Sequence, residues 1–281
     1  MGEPTGEPTG EPTGEPAGEP GWAGGSFGAR GRCVLAPNPG PMTLDGTNTW
    51  ILREPGARRS VVVDPGPADP AHLDAIVEAA GPVGVVLLTH HHLDHSEAAR
   101  SFAERVGAGV RALDPAQRLG SEGLADSDVV EVDGLEVRVV GTPGHTADSL
   151  SFWLPAESVA LTGDTVLGRG TTVVAHPDGQ LGAYLDSLDR LHALAEARDV
   201  AAVWPGHGPV IGDALAALDY YIAHRRERLA QVEEALGSVD PEAEDLPRKV
   251  VEIVYADVDP VLWGAAELSV RAQLAYLAER R

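Results

Sequence analysis

One cysteine, Cys33, stands in a chain of 281 residues, which excludes an internal disulfide and fits a reducing compartment. It falls in the strand-like run Arg32 to Leu35, where a lone thiol acts as a small buried hydrophobe. Positive charge is also scarce: 21 Lys and Arg face 43 Asp and Glu, for a net −22. Such a balance argues against holding nucleic acid by broad neutralisation of phosphates, although bound dications can make a site positive on an acidic protein. Long hydrophobic runs are missing. The apolar stretch Val83 to Leu88 is far below the roughly 18 residues of a membrane-spanning helix, so no membrane partner is expected. No basic leader with an apolar core follows Met1, and the expected location is cytoplasmic. No Gly-x-Ser-x-Gly elbow, phosphate-binding P-loop or dinucleotide fingerprint competes for the chemistry.

What is present divides into three segments. Residues 2–20 repeat Gly-Glu-Pro-Thr with minor variation, and Glu3, Glu7, Glu11, Glu15 and Glu19 are accompanied by no basic residue. Such a composition cannot bury enough apolar surface to order itself, so residues 1–24 are expected to be a disordered tail. Residues 25–212 alternate strand and helix patterns. Strands are expected over Thr49 to Arg53, Ser60 to Val63, Val83 to Thr89, Asp128 to Val132, Leu135 to Val140, Ser149 to Leu154, Ser158 to Leu161 and Val200 to Trp204. Helices are expected over Pro70 to Ala80 and Ser96 to Val106, and Asp133-Gly134 signals a two-residue hairpin. Residues 213–281 change to amphipathic helices, Asp213 to Leu236, Pro247 to Ala256 and Ala265 to Arg280, which form a small C-terminal helical module.

The chemistry concentrates in Thr89-His90-His91-His92-Leu93-Asp94-His95. His90, His92, Asp94 and His95 crowd the end of an apolar strand, where a loop can turn several ligands inward. Three further turns each place one ligand-type residue after a glycine: Pro143-Gly144-His145, Thr162-Gly163-Asp164 and Pro205-Gly206-His207. Imidazoles and carboxylates in this mixture suit zinc, and iron or manganese accept the same donors.

The series His-x-His-x-Asp-His, Gly-His, Gly-Asp, Gly-His resembles the complete ligand set of the metallo-β-lactamase superfamily. The resemblance covers about residues 32–212 and implies an α/β fold, a four-layer αββα sandwich, with its site along one edge. It further implies two metal ions. His90, His92 and His145 would hold the first, Asp94, His95 and His207 the second, and Asp164 would bridge them. Two dications roughly 3.5 to 4 Å apart can share a hydroxide at neutral pH and polarise a scissile group. Asp94 would also orient that hydroxide or relay a proton. The implied activity is hydrolysis of an ester, thioester or phosphodiester.

The segment Asn38 to Trp50, the loop Gly170 to Val174 and the C-terminal runs Val250 to Tyr255 and Leu274 to Leu277 are similar to the beta-lactamase-like protein 2 group. Its animal members cleave single-stranded RNA, and its C-terminal domain is winged-helix-like. The expected partner is therefore a small-molecule substrate, with RNA as the alternative. Two other readings stand beside it: iron-dependent sulfur or persulfide oxidation, and a non-catalytic binding module around a structural metal core. Asn48 and Gly168 to Val174 are equally explained by substrate contact and by backbone packing. His72, His192 and His224 are expected to be ordinary helix residues, and His91 to point away from the metals. His176 reads as an exposed loop residue and Trp50, Trp153 and Trp204 as core. Arg225, Arg226 and Arg228 read as a solvated helix face.

Overall fold

The computed structural model describes residues 21–120 and 122–280; the repeat expected to be disordered lies outside them through residue 20. Two β-sheets face each other. The first runs β1 (Gly25–Phe27), β2 (Gly31–Leu35), β3 (Asn48–Leu52), β4 (Ser60–Val63), β5 (Val83–Leu87) and β6 (Gly109–Arg111), antiparallel as far as β4 and parallel from β4 to β6. The second is the antiparallel meander β7 (Val129–Val132), β8 (Leu135–Gly141), β9 (Leu150–Leu154) and β10 (Val159–Gly163), extended by β11 (Ala202–Pro205) parallel to β10. The β7–β8 turn is Asp133-Gly134, both at positive φ (48° and 90°), as a two-residue hairpin turn requires.

Period-two alternation decides which side chain faces which layer. Trp50, Leu52, Val61, Val63, Val85 and Leu87 point between the sheets, against Val137, Val139, Phe152, Leu154, Leu161 and Trp204. Ile51, Val62 and Val86 point the other way, against Ile76 of α1 (Pro70–Ala80) and Phe102 of α3 (Ala99–Val106). On the far side of the second sheet, Ala160 and Val203 pack on Tyr184 and Leu188 of α4 (Leu181–Arg198) and on Leu218 and Tyr221 of α5 (Ala214–Ala235). These are the four layers expected. Helix α1 starts where Asp69 caps it, accepting from His72 N at 2.8 Å, with Pro70 in its first turn.

The C-terminal half of α5 leaves the sandwich. Val232 and Ala235 join Val250, Val251 and Val254 of α6 (Leu246–Val254) and Ala266 and Val270 of α7 (Trp263–Glu279) in a separate small core. Among the described residues no helix is long and apolar enough to cross a membrane.

Several local expectations are corrected. The helix expected over Ser96 to Val106 is α3, which starts only at Ala99, and a separate single turn, α2 (Leu93–Ser96), precedes it. That break lets the ligand-type residues of α2 turn toward the sheet edge. Helix α4, whose ends the sequence pattern did not mark, begins without a side-chain cap. Order also begins before Gly25. Trp22 lies 5.4 Å from the Phe27 ring and donates to Asn48 Oδ1 at 2.7 Å, so a boundary at residue 24 would cut through a packed contact.

Candidate metal centre

Strands β4, β5, β8, β10 and β11 all end at the same edge of the sandwich, and the residue types singled out in the sequence follow those ends. His90 follows β5, with His92, Asp94 and His95 on the turn into α2. His145 follows β8, Asp164 follows β10 and His207 follows β11. All seven come together. His90, His92 and His145 form one group of converging donor atoms, and Asp94, His95 and His207 form another. Between them lies Asp164: its Oδ1 is 3.4 Å from His95 Nε2, and its Oδ2 is 3.3 Å from His207 Nε2 and 3.7 Å from His145 Nε2.

The glycine before each ligand has a steric reason. A Cβ on Gly206 would lie 2.5 Å from Asp164 Oδ1 and 2.8 Å from the His95 ring, and one on Gly144, at φ 137°, would lie 2.3 Å from the Tyr184 backbone. Only a bare backbone lets the loops approach so closely.

The outer nitrogens of the rings are held from behind. Backbone carbonyls accept from His145 Nδ1 (Val173 O, 2.7 Å) and His207 Nδ1 (Gly46 O, 3.1 Å). Asp64 Oδ2 accepts from His95 Nδ1 at 2.9 Å, and Thr89 Oγ1 meets His90 Nδ1 at 2.9 Å while donating to Asp64 Oδ2 at 2.6 Å. These contacts place the proton on Nδ1 and aim an Nε2 lone pair inward, the arrangement that orients histidine ligands. His92 instead turns Nδ1 inward, 3.1 Å from both His90 Nε2 and His145 Nε2. Nitrogens in tetrahedral zinc coordination sit about 3.3 Å apart, given bonds of about 2.0 Å, so the observed spacing fits a cation among them. The donor set fits as well: Asp164 Oδ1 is buried without a hydrogen-bond partner, a carboxylate oxygen oriented for a positive charge.

Titration behaviour divides the two groups. Burial pushes His90 well below the ordinary histidine value, His92 down to about 4, and His145 downward. Burial also opposes charging of His95 and His207, but Asp164 and Asp94 outweigh it, raising His95 well above the ordinary value and His207 to about 9. Burial likewise opposes ionisation of Asp94, which His95 and His207 nonetheless hold down at about 2. Protons thus occupy the second group where a cation would otherwise balance the carboxylates.

Asp64 escaped the sequence reading. It is 2% exposed and accepts from Thr89 N and Oγ1 as well as from His95. The available signal was its place in Val63-Asp64-Pro65-Gly66, an acid at a strand end before a Pro-Gly turn. His91 does turn away, to Asp148 at 2.8 Å. His72 lies on helix α1 as expected and is fully buried there, 3.0 Å from Thr49 Oγ1, and burial lowers it to about 4. Asn48 does not reach the opening: it is fully buried and donates to Pro205 O and Gly208 O, fixing the loop that carries His207.

A cavity of about 290 Å³ opens off the group, with His145 and Asp164 at its inner end. The loop Arg169 to Val173 forms one wall, Met42 and Leu44 another, and the C-terminal residues Tyr255, Val258, Leu262 and Ala266 close it. Arg225 is buried here, not solvated. It is 4% exposed, lies 4.9 Å from the Tyr184 ring centre and donates to Thr172 O. Tyr221 accepts from Leu167 N at 2.8 Å and donates to Gly170 O at 3.1 Å, so α5 fastens the same loop twice.

Known proteins are similar in sequence and in fold. Residues 42–207 match the family model "Metallo-beta-lactamase superfamily", and residues 247–281 match "Beta-lactamase associated winged helix domain". The chain is 33% identical over 236 residues to the Beta-lactamase-like protein 2 homolog of Caenorhabditis elegans, covering 80% of this chain and 76% of that protein. It is 37% identical over 218 residues to an Atrochrysone carboxyl ACP thioesterase of Aspergillus fumigatus, covering 74% and 65%. A beta-lactamase domain protein from Burkholderia ambifaria has the same fold, with a TM-score of 0.74 at 23% identity over 94% of this chain and 91% of the other. With the fold, the converging His and Asp residues and these similarities in agreement, the chain belongs to the metallo-beta-lactamase superfamily.

Proposed function

We propose that the protein is a two-metal hydrolase of carbonyl esters or thioesters. The observation that carries this reading is the pair of donor groups flanking Asp164, whose Oδ1 has no partner of its own, opened on a largely apolar cavity. His90, His92 and His145 would hold one ion, Asp94, His95 and His207 the other, and Asp164 both. Zinc suits the donors best, with iron and manganese compatible. When bound, two such ions supply Lewis acidity, which lowers the pKa of water toward about 7 and polarises a carbonyl group.

The chain's own residues do the rest. Asp94, whose side chain is 30% exposed where the other carboxylate is 10% exposed, orients the attacking water. It takes up the proton that this water loses. Thr89 and Asp64 keep His90 and His95 in the tautomer that points Nε2 inward. Leu44, Leu167, Val258 and Leu262 line the cavity and exclude water from an apolar acyl group. The 37% identity to a thioesterase supports the carbonyl substrate over a phosphodiester.

The test is metal content measured together with turnover of acyl thioester, lactone and single-stranded RNA panels by protein loaded with zinc, iron or manganese. Two ions per chain and turnover of a thioester or ester are expected, with Asp94→Ala reducing the rate by at least about 100-fold. Full activity of Asp94→Ala, or cleavage of RNA alone by loaded protein, refutes this reading.

A further inference from the structure

The cavity carries a charge its surroundings leave unbalanced. Among the residues that line it, Arg169, Arg225 and Arg228 are cationic and Asp164, already committed to the donor groups, is the one carboxylate. This concentration occurs on a chain with twice as many acidic as basic residues. Arg169 has a counter-ion in Asp45. Among the described residues the other two have none. Arg225 spends its guanidinium on Thr172 O and the face of Tyr184, and its Nε is buried without a partner. Arg228 donates to Val254 O at 2.6 Å and Gln231 Oε1 at 3.0 Å, and lies 4.8 Å from the Tyr255 ring centre. Tyr221, His224, Arg225 and Arg228 recur at helical spacing on α5, so one face of that helix presents the charge to the cavity. A buried cation without a counter-ion, as Arg225 is, is costly to a fold; Arg225 and the half-buried Arg228 both line the cavity, and Arg228 also borders the surface cleft that holds Glu227, Glu234 and Asp257.

We propose that the cavity binds a small organic anion whose apolar body lies against Leu44, Leu262 and Ala266 and whose carboxylate or phosphate pairs with Arg228 beside buried Arg225. The ligand's scissile group then lies at the His145 and Asp164 end and its charged group at the α5 end. This rests on the hydrolase reading only for which end of the ligand reacts. A volume near 290 Å³ admits one compact organic molecule, and with closure by α6, α7 and their connection it favours a small ligand over a polymer strand.

The test is equilibrium binding to the zinc-loaded full chain of three probes that share one ring: 2-naphthoate, 2-naphthylphosphonate and neutral 2-naphthamide. Tighter binding of at least one anion than of the amide is expected, and the tighter one assigns carboxylate or phosphate. Arg228→Met should weaken that anion roughly tenfold and leave the amide unchanged, and Arg228→Lys should restore most of the loss. Arg226→Met, which removes one charge from the same helix outside the cavity, should change nothing. An anion preference that survives Arg228→Met would place the charge on the metal ions and overturn the proposal. Equal weakening of anion and amide would reduce Arg228 to packing and also overturn it, as would a single-stranded RNA oligonucleotide that outcompetes all three probes. No turnover is measured, so failure of hydrolysis and failure of anion binding are separately visible.

Discussion

Asp64→Asn isolates the support behind one ligand. The side chain keeps its shape, and asparagine tolerates the left-handed backbone at φ 51°. Its chemistry does not fit. Asp64 accepts three hydrogen bonds, from Thr89 N at 2.8 Å, Thr89 Oγ1 at 2.6 Å and His95 Nδ1 at 2.9 Å. An amide has one oxygen and one NH2 group, so either orientation sets a donor against a donor. If its oxygen stays on Thr89 N, the NH2 faces the His95 Nδ1 proton. His95 escapes by moving that proton to Nε2, which removes the lone pair aimed at Asp94 and His207. Loss of such a supporting contact costs about 10- to 100-fold in metal affinity, or about 1.4 to 2.8 kcal/mol. We therefore expect chelator competition to show one of two ions weakened by that factor, the one held by Asp94, His95 and His207, with the other close to wild type. Unchanged affinity for both ions refutes the assignment of Asp64. Equal weakening of both, with a lowered melting temperature, means that the substitution acts on the fold instead.

Asp164→Ala should lower occupancy of both ions and reduce turnover to background; two tightly held metals with normal rates, by metal analysis and kinetics, would refute the bridging assignment. Metal loss on acidification should occur in two stages. His207, raised to about 9, and His95, raised well above the ordinary histidine value, take up protons first as pH falls, whereas His92 stays neutral down to about 4. Equilibrium dialysis from about pH 9 to pH 5 should thus empty the Asp94, His95 and His207 group first, and loss of both ions in one step would contradict it. In metal-free protein the sign reverses. The raised His207 adds stability that is complete below the unfolded value of 6.5 and disappears as pH rises through about 9, so chelated protein should melt lower at pH 9 than at pH 6. Tyr221→Phe leaves Leu167 N without its partner and should cost about 1 to 2 kcal/mol in denaturant unfolding; an unchanged midpoint would show that the hydroxyl does not hold the loop.

The seven donor residues were legible because each follows an apolar strand and three of them follow a glycine, a pattern local in sequence. Which residues of β3, β4 and β5 face between the sheets was not legible, because both faces are apolar and buried: Val61 and Val63 meet the second sheet while Val62 meets the helices. The support was not legible. Asp64 and His95 are separated by 31 residues, and only the parallel β4–β5 pairing brings their strand ends together. Arg225 sits among Arg226, Glu227 and Arg228, so local composition reads as a solvated face. Its burial depends on α4 supplying Tyr184 and on the loop that supplies Thr172. The full burial of His72 on its helix was not legible for the same reason: the Thr49 that receives it comes from a strand distant in sequence.

Helix α5 contributes Leu218 and Tyr221 to the sandwich and Val232 and Ala235 to the C-terminal core, in one uninterrupted run of 22 residues. There is no linker between the two parts in which a hinge could form. With a continuous helix about 33 Å long tying the module to the sandwich, the expected route by which the mouth of the cavity widens is local opening of α6 and α7. Amide exchange in those two helices and the escape rate of a trapped ligand should then report a single opening event.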